Sequence, residues 1–290
     1  MAKLLLGKEV NQKLNEDIKK KVELLKEKGV EPMLAIVRIG ENESDLSYER
    51  GATKRCETLG VKVEKHILQP MATKEQVLSV IDSLNKDKNV NGVLMFRPLP
   101  KHLDAYEIEN ALDPSKDVDC MTESSIGAVF TGRDIGYSPC TPQACMEILD
   151  YYGIDCTGKK AVVIGRSLVV GKPVAMMLMR KNATVTICHT KTNDMAKEAR
   201  EADILVVAAG HSDTVNKDFV REGQIVLDVG INVNEEGKLC GDVKFEEVEG
   251  IVDVITPVPG GVGGVTTSVL VKHVVEAAAK QNNINFTIEW

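Results

Sequence analysis

The chain of 290 residues lacks several features that would settle its class at once. It has no Cys-x-x-Cys pair, and its seven cysteines stand singly at 56, 120, 140, 145, 156, 188 and 240. An odd, scattered set argues against a disulfide framework or a zinc site and predicts reduced thiols packed as small apolar side chains. No apolar run approaches the roughly eighteen residues of a membrane helix, and the opening MAKLLLGKEV meets a charge too soon for a secretion signal. The expectation is a cytoplasmic protein with no membrane partner. Positive charge is also in short supply. With 36 Lys and Arg against 43 Asp and Glu, the formal charge is −7, which argues against the clustered basic surface that nucleic acid demands. Lys19, Lys20 and Lys21 are interleaved with Glu16, Asp17 and Glu23 and read as a solvated helix face. No repeat or low-complexity tract stands out.

What is present is ordinary for a soluble globular chain, 43% apolar and 27% charged, at a length that allows two domains. Val10, Leu14, Ile18, Val22 and Leu25 recur at helical spacing and stop before Gly29. A buried strand over 33–39 follows, then a helix over 44–59, an alternating strand over 61–68, a helix opened by Thr73 with Gln76 as a capping box, and a strand over 92–96 closed by Pro98 and Pro100. Turn-rich stretches at 114–119 and 138–142 mark a change of domain. Beyond a helix at about 142–152, apolar strands at 161–164, 184–188, 204–208, 225–229 and 251–255 have the spacing of a doubly wound α/β sheet.

The most telling stretch is 161–173, AVVIGRSLVVGKP. A buried strand runs into a tight turn at Gly165, and Gly171 lets the next helix pack close to the strand, so amides at the helix start would face a pyrophosphate. The middle glycine of the usual dinucleotide fingerprint is Ser167 and the last falls one residue late, so the stretch alone also fits an ordinary strand-to-helix turn. The following strand ends in Cys188-His189-Thr190-Lys191, with no acid to accept from a ribose 2′-hydroxyl. Arg166, Thr190 and Lys191 offer donors suited to a 2′-phosphate, which favours NADP, although Arg166 alone also fits an unliganded surface residue. Near the C-terminus, ITPVPGGVGGVTTSVL places a stiff, glycine-rich loop before an apolar helix over 269–279. Such a loop suits either a flat ligand or a plain connection. Tyr48, on a helix, and Asp119, in PSKDVDC, are singly no more than a rim aromatic and a turn residue.

Together these segments closely resemble the methylenetetrahydrofolate dehydrogenase/cyclohydrolase family. The shared segments are the tyrosine helix, a PLP turn after a strand, KDVD at 116–119, PCTP at 139–142, GRSxxVGxP, CHTKT, DVGIN at 228–232, GDVxF at 241–245 and TPVPGGVG. The resemblance covers nearly the whole chain. It implies an α/β fold of two domains: a folate-binding domain over 1–140 completed by a C-terminal helix over 267–290, and a Rossmann-like NAD(P)-binding domain over 141–266. A cleft between them and a homodimer are also implied. The family oxidises 5,10-methylenetetrahydrofolate with NADP, or in some members NAD, and hydrolyses the methenyl product to 10-formyltetrahydrofolate. Carried onto this sequence, Tyr48 packs on the folate ring system, Asp119 accepts from the pterin's amino and ring N–H groups, and Leu99, Pro259 and Gly260 border the substrate. Gly165, Arg166, Ser167, Gly171, Thr190, Ile231 and Thr266 line the cofactor, and no metal is implied.

The departures concentrate on the folate side. The family's lysine four residues after the tyrosine is Ala52, and the glutamine of its VQLPLP segment is Phe96. A serine before the tyrosine is Asp45, the glycine of KDVDG is Cys120, a following asparagine is Ser125, and a usual Pro-Met is Gly264-Val265. Lys54 lies about 200° further round the helix than Ala52 and points elsewhere. Arg55 shares the face of Tyr48, but a guanidinium is no general base. Hydride transfer requires alignment, whereas hydrolysis of the methenyl cation requires a positioned acid–base pair. The expectation is an NADP-dependent methylenetetrahydrofolate dehydrogenase with weak or absent cyclohydrolase activity. The rivals are a fully bifunctional enzyme, a catalytically silent folate- or nucleotide-binding regulatory subunit, and a shikimate-type two-domain dehydrogenase.

Overall fold

In the computed structural model, which describes residues 1–286, Met33–Ile39 forms the centre of a three-stranded parallel sheet, flanked by Lys62–Leu68 and Gly92–Met95. The centre strand is buried on both faces and is accordingly an almost unbroken apolar run. Its neighbour Lys62–Leu68 lies at an edge and carries charged residues at three of its seven positions, none of the seven fully buried. The helix Lys74–Lys86 opens on the expected capping box: Gln76 N donates to Thr73 Oγ1 and Thr73 N donates to Gln76 Oε1. It buries Val77, Ile81 and Leu84, spaced four and three apart, each contributing about 1.5–3 kcal/mol by leaving water. Its far end is closed by Lys116, a buried lysine whose Nζ donates to the carbonyls of Leu84 and Asp87 at 2.7 and 2.6 Å. Gly92 has to be glycine, because a Cβ there would lie 2.6 Å from Val118.

The second sheet has six strands, in spatial order Lys3–Leu4, Val254–Ile255, Ile225–Asp228, Ile204–Val207, Lys160–Ile164 and Thr184–Cys188, with all neighbours parallel. Val162, Ile164, Leu205, Val207, Val226 and Ile255 belong to its core. The chain reverses direction across this sheet: it steps from Lys160–Ile164 to Thr184–Cys188 on one side, then returns to Ile204–Val207 on the other. That arrangement is the topological switch point of an open α/β sheet.

The chain divides into two compact units, Met1–Gln12 with Thr141–Thr266, and Lys13–Cys140 with the chain from Thr267 on. The three passages between them fall inside the helices Gly7–Glu27, Cys140–Tyr151 and Val262–Gln281. Three sequence expectations need correction. Residues 1–12 belong with the six-stranded sheet rather than with the rest of 1–140, because Lys3 N and Leu5 N donate to the carbonyls of Asp253 and Ile255. The last helix starts at Val262 rather than 269 and ends at Gln281, and the part of the expected 267–290 segment over 287–290 lies outside the described residues. Lys21 is not on a solvated face: it is buried, with its ammonium 5.3 Å from the centre of the Phe286 ring.

Candidate functional site

At the switch point the backbone comes too close for side chains. Gly165 follows Lys160–Ile164 with φ +121°, and a Cβ on it would lie 2.1 Å from the Ala208 carbonyl oxygen, across the crevice between two strands. A Cβ on Gly171 would lie 2.2 Å from the Gly165 carbonyl oxygen, so the helix Gly171–Arg180 starts in contact with the turn. Both glycines are required by space, and Gly165 also by its dihedral. The Ser167 hydroxyl accepts from the amides of Val170 and Gly171 at 3.1 and 3.3 Å, closing the helix start from within the turn. Gly165 N donates to Cys188 O at 2.9 Å, which sets the turn beside the end of the next strand, where Thr190 is exposed like Arg166.

The other expected cofactor residues lie along the same carboxyl edge. Ile231 is exposed and stands against Gly263, where a Cβ would meet its Cδ1 at 3.1 Å. Thr266 is buried, with its hydroxyl donating to the Val262 carbonyl of its own helix at 3.4 Å. Pro259 and Gly260 are exposed in a loop with a cis Val258–Pro259 bond and φ +106° at Gly260. The Gly260 carbonyl accepts from Gly7 N at 2.8 Å. Gly264 O accepts from Asn11 Nδ2 at 2.7 Å, and Val265 is buried.

Two buried carboxylates on this edge have no counterpart among the expected site residues. Asp228 accepts from the amides of Gly230, Asp242 and Val243, each at 3.0 Å. Asp242 accepts from Gly210 N and Asn232 Nδ2, each at 2.8 Å. The only sequence signal for them is their place in DVGIN and GDVxF.

In the other unit the helix Glu43–Leu59 carries Tyr48, Ala52 and Arg55 on neighbouring turns. Asn42 caps its start through Ser44 N, and Gly60, at φ +79°, ends it. The frame beside Tyr48 is ionic. Arg38 Nε on the central strand bonds Glu49 Oε2 at 2.8 Å, and Lys65 Nζ reaches Glu49 Oε1 at 2.9 Å. Burial opposes the Glu49 charge, but the bonds from Lys65 and Arg38 outweigh it and hold the carboxyl below the usual range.

Tyr48 is half-buried, with the Phe96 ring edge-on at 6.0 Å and 86°. Burial raises its phenol well above the ordinary value, with smaller contributions from Cys140, Asp119 and Cys56. Asp119 is placed by Cys140 N, which donates to its Oδ1 at 3.0 Å. His273 lies behind, buried, with Nδ1 at 2.9 Å from the Val118 carbonyl oxygen and burial lowering its pKa. Ala52 is fully buried. Leu99 packs against the core around Val93 and Met121. Arg55 Nε makes a long 3.4 Å bond to Thr267 Oγ1, Lys54 is exposed, and burial raises the Asp45 carboxyl. Cys120 holds φ +57°, the left-handed region that suits the family's glycine, and Ser125 Oγ accepts from Thr122 Oγ1 at 2.9 Å.

Tyr48, Phe96 and Asp119 are thus brought together in one unit, and the turn at Gly165, Thr190 and Ile231 along one sheet edge in the other. A doubly wound sheet with a glycine-lined phosphate turn defines a dinucleotide-binding α/β protein. Residues 139–282 match the tetrahydrofolate dehydrogenase/cyclohydrolase NAD(P)-binding domain, and residues 5–119 match the catalytic domain of the same name. The chain belongs to the tetrahydrofolate dehydrogenase/cyclohydrolase family, as its motifs imply. It is 50% identical over 280 residues to the bifunctional protein FolD of Clostridioides difficile strain 630, covering 97% of this chain and 98% of that one. The crystal structure of the bifunctional FolD methylenetetrahydrofolate dehydrogenase/cyclohydrolase of Campylobacter jejuni is similar at a TM-score of 0.94 and 42% identity, over 97% of this chain and 99% of that one. The Trypanosoma brucei methylenetetrahydrofolate dehydrogenase-cyclohydrolase, solved with NADP and an inhibitor, matches at a TM-score of 0.90 and 32% identity, over 96% and 98%. Among the described residues no helix is long and apolar enough to cross a membrane.

Proposed function

We propose that this chain oxidises 5,10-methylenetetrahydrofolate to 5,10-methenyltetrahydrofolate with NADP, and that it hydrolyses the methenyl product slowly or not at all. NADP, when bound, supplies the hydride acceptor. The glycine-lined crevice at Gly165 and Gly171, where the backbone is bare of side chains, fits a pyrophosphate. Arg166 and Thr190, both exposed and with no acid between 188 and 191, receive the 2′-phosphate, and the exposed Ile231 side chain covers an apolar face of the cofactor.

In the folate-binding unit, Tyr48 packs its ring on the substrate with its hydroxyl protonated, since burial holds the phenol high. Asp119, steadied by Cys140 N–H, accepts from the pterin's amino and ring N–H groups. These groups align the methylene bridge, and hydride loss leaves an amidinium-like cation without any proton transfer. Hydrolysis of that cation requires a group to take a proton from water and return one to the departing nitrogen.

The observation that carries the single-activity reading is the buried methyl of Ala52, with Phe96 edge-on to Tyr48, where the family places a lysine and a glutamine. The second reading, a fully bifunctional enzyme, is favoured by the names of relatives such as the Clostridioides difficile protein. One preparation assayed for both reactions decides between them. Dehydrogenase turnover with NADP and methenyl-tetrahydrofolate decay at the uncatalysed rate support the first reading, and accelerated decay supports the second. The same reading takes the enzyme as a cytoplasmic homodimer, which sedimentation of the purified protein tests.

A further inference from the structure

The buried acids on the cofactor edge are an expensive way to hold a fold together. A buried carboxylate loses several kcal/mol of hydration, and two side by side repel each other. Stability alone is better served by neutral acceptors. What the pair does supply is position. Asp242 Oδ2 takes Gly210 N at 2.8 Å, fixing the loop after Ile204–Val207, which faces Gly165 across the crevice. Asp228 takes Gly230 N at 3.0 Å, fixing the loop that presents Ile231.

The two acids also lock each other's loops. Asp228 accepts from Asp242 N and Val243 N, and a Cβ on Gly241 would lie 1.8 Å from Asp228 Oδ2. A Cβ on Gly230 would lie 2.2 Å from Asp242 Oδ1, so the glycines leave room for the carboxylates alone. Asp228 N donates to the buried Thr256 hydroxyl at 2.8 Å, which ties the start of the TPVPGG loop into the same knot.

We propose that Asp228 and Asp242, as a pair of charged carboxylates, are positioning residues of the nucleotide site, and that NADP binds tightly only while both carboxylates hold their backbone amides. The inference rests on the cofactor reading given above. Protonating Asp228 makes its carboxyl a weaker acceptor for its three amides, on Gly230, Asp242 and Val243, and so loosens the loops they belong to, the one that carries Ile231 among them.

Burial pushes the Asp228 carboxyl up to about 6. Its amide bonds oppose the shift and the Asp242 charge adds to it. The facing titratable groups are Asp242 and Cys240, and Cys240 in turn feels Asp213 and Glu246, with no cation among them. A folded value above the unfolded 3.8 means that this group's contribution to folding is full below 3.8 and is lost as pH rises through about 6. Lowering the pH therefore strengthens folding through Asp228 while it weakens NADP binding. A purely structural role does not move the two in opposite directions.

The test is calorimetric titration of the full-length protein with NADP between about pH 5 and pH 8, alongside thermal midpoints. Asp242→Asn, which sets an amide N–H against a backbone donor, is expected to weaken NADP about tenfold at the upper pH. Asp228→Asn keeps the titration of the cofactor's own phosphate but loses the carboxylate's, so its affinity should fall about tenfold less than the wild type's over that range. Affinities within twofold of wild type in both variants, with an unchanged pH profile, overturn the proposal. If neither variant folds, Asn232→Ala, which leaves both charges and removes the donor to Asp242 Oδ1, should weaken NADP about threefold, and no change there overturns it equally. Wild-type protein that binds no NADP at any pH would instead refute the cofactor reading.

Discussion

The turn at Gly165 and the surroundings of Tyr48, the two sites of the proposed function, are built by different means. The turn is made of backbone: two glycines whose added Cβ atoms would lie about 2 Å from carbonyl oxygens, and loops fixed by buried acids. The surroundings of Tyr48 are made of side chains from separate segments: the phenol on its helix, the Asp119 carboxylate and the Phe96 ring edge, with the Arg38–Glu49–Lys65 cluster stiffening the helix. A backbone site tolerates almost no substitution without losing its shape. A side-chain site can exchange a lysine for an alanine and a glutamine for a phenylalanine and still present its tyrosine. On the proposed reading, this contrast is how hydride transfer persists where the hydrolytic step has no proton carrier.

The harshest way to probe the contrast is Gly165→Ala, which combines the left-handed dihedral with a 2.1 Å clash. NADP affinity, read by calorimetry, should fall roughly a thousandfold, ~4 kcal/mol of strain and overpacking, while the far-ultraviolet dichroism stays α/β. Binding within tenfold of wild type would break the comparison. Next in size, Glu49→Ala strands the buried Arg38 and should cost about 3 kcal/mol in urea unfolding, with Arg38→Met in the same chain recovering most of it. Because the Glu49 carboxyl is held below its ordinary 4.5, its contribution is present above that value and is lost as the pH falls through the folded one. The paired replacement should therefore flatten the acid side of the stability profile.

Asp119→Ala removes a charged acceptor and should lower dehydrogenase kcat/KM about fiftyfold, ~2.4 kcal/mol, with NADP affinity unchanged. A matching loss of NADP affinity would mean that Asp119 does not act on the folate side alone. The smallest expected effect is the most specific to the proposed function. Ala52→Lys with Phe96→Gln should raise methenyl-tetrahydrofolate hydrolysis about tenfold over the parent and leave dehydrogenase turnover within about threefold.

Local chemistry made much of this molecule readable from its sequence. The strands at 33–39 and 184–188 and the Thr73–Gln76 cap are written in contiguous residues, and the structure keeps them at those positions. Gly165 and Gly171 were legible because close backbone approach leaves glycine as the only choice. The short strand Lys3–Leu4 was not, because its reason for being extended lies in partners some 250 residues further on. Lys21 sits in a run of charges that looks solvated, and only its fold neighbours bury it. Asp228 and Asp242 were visible as letters of two motifs, yet their work is done on amides up to 32 residues away, which no periodicity records.

The threading of the chain has a consequence for how the protein is made. Residues 1–12 find their strand partners only when 253–255 have been synthesised, and the unit built on Met33–Ile39 is completed by residues from Thr267 on. A nascent chain therefore leaves the ribosome with both units open until its closing helix emerges, and this long exposed interval is when chaperones have the most to do.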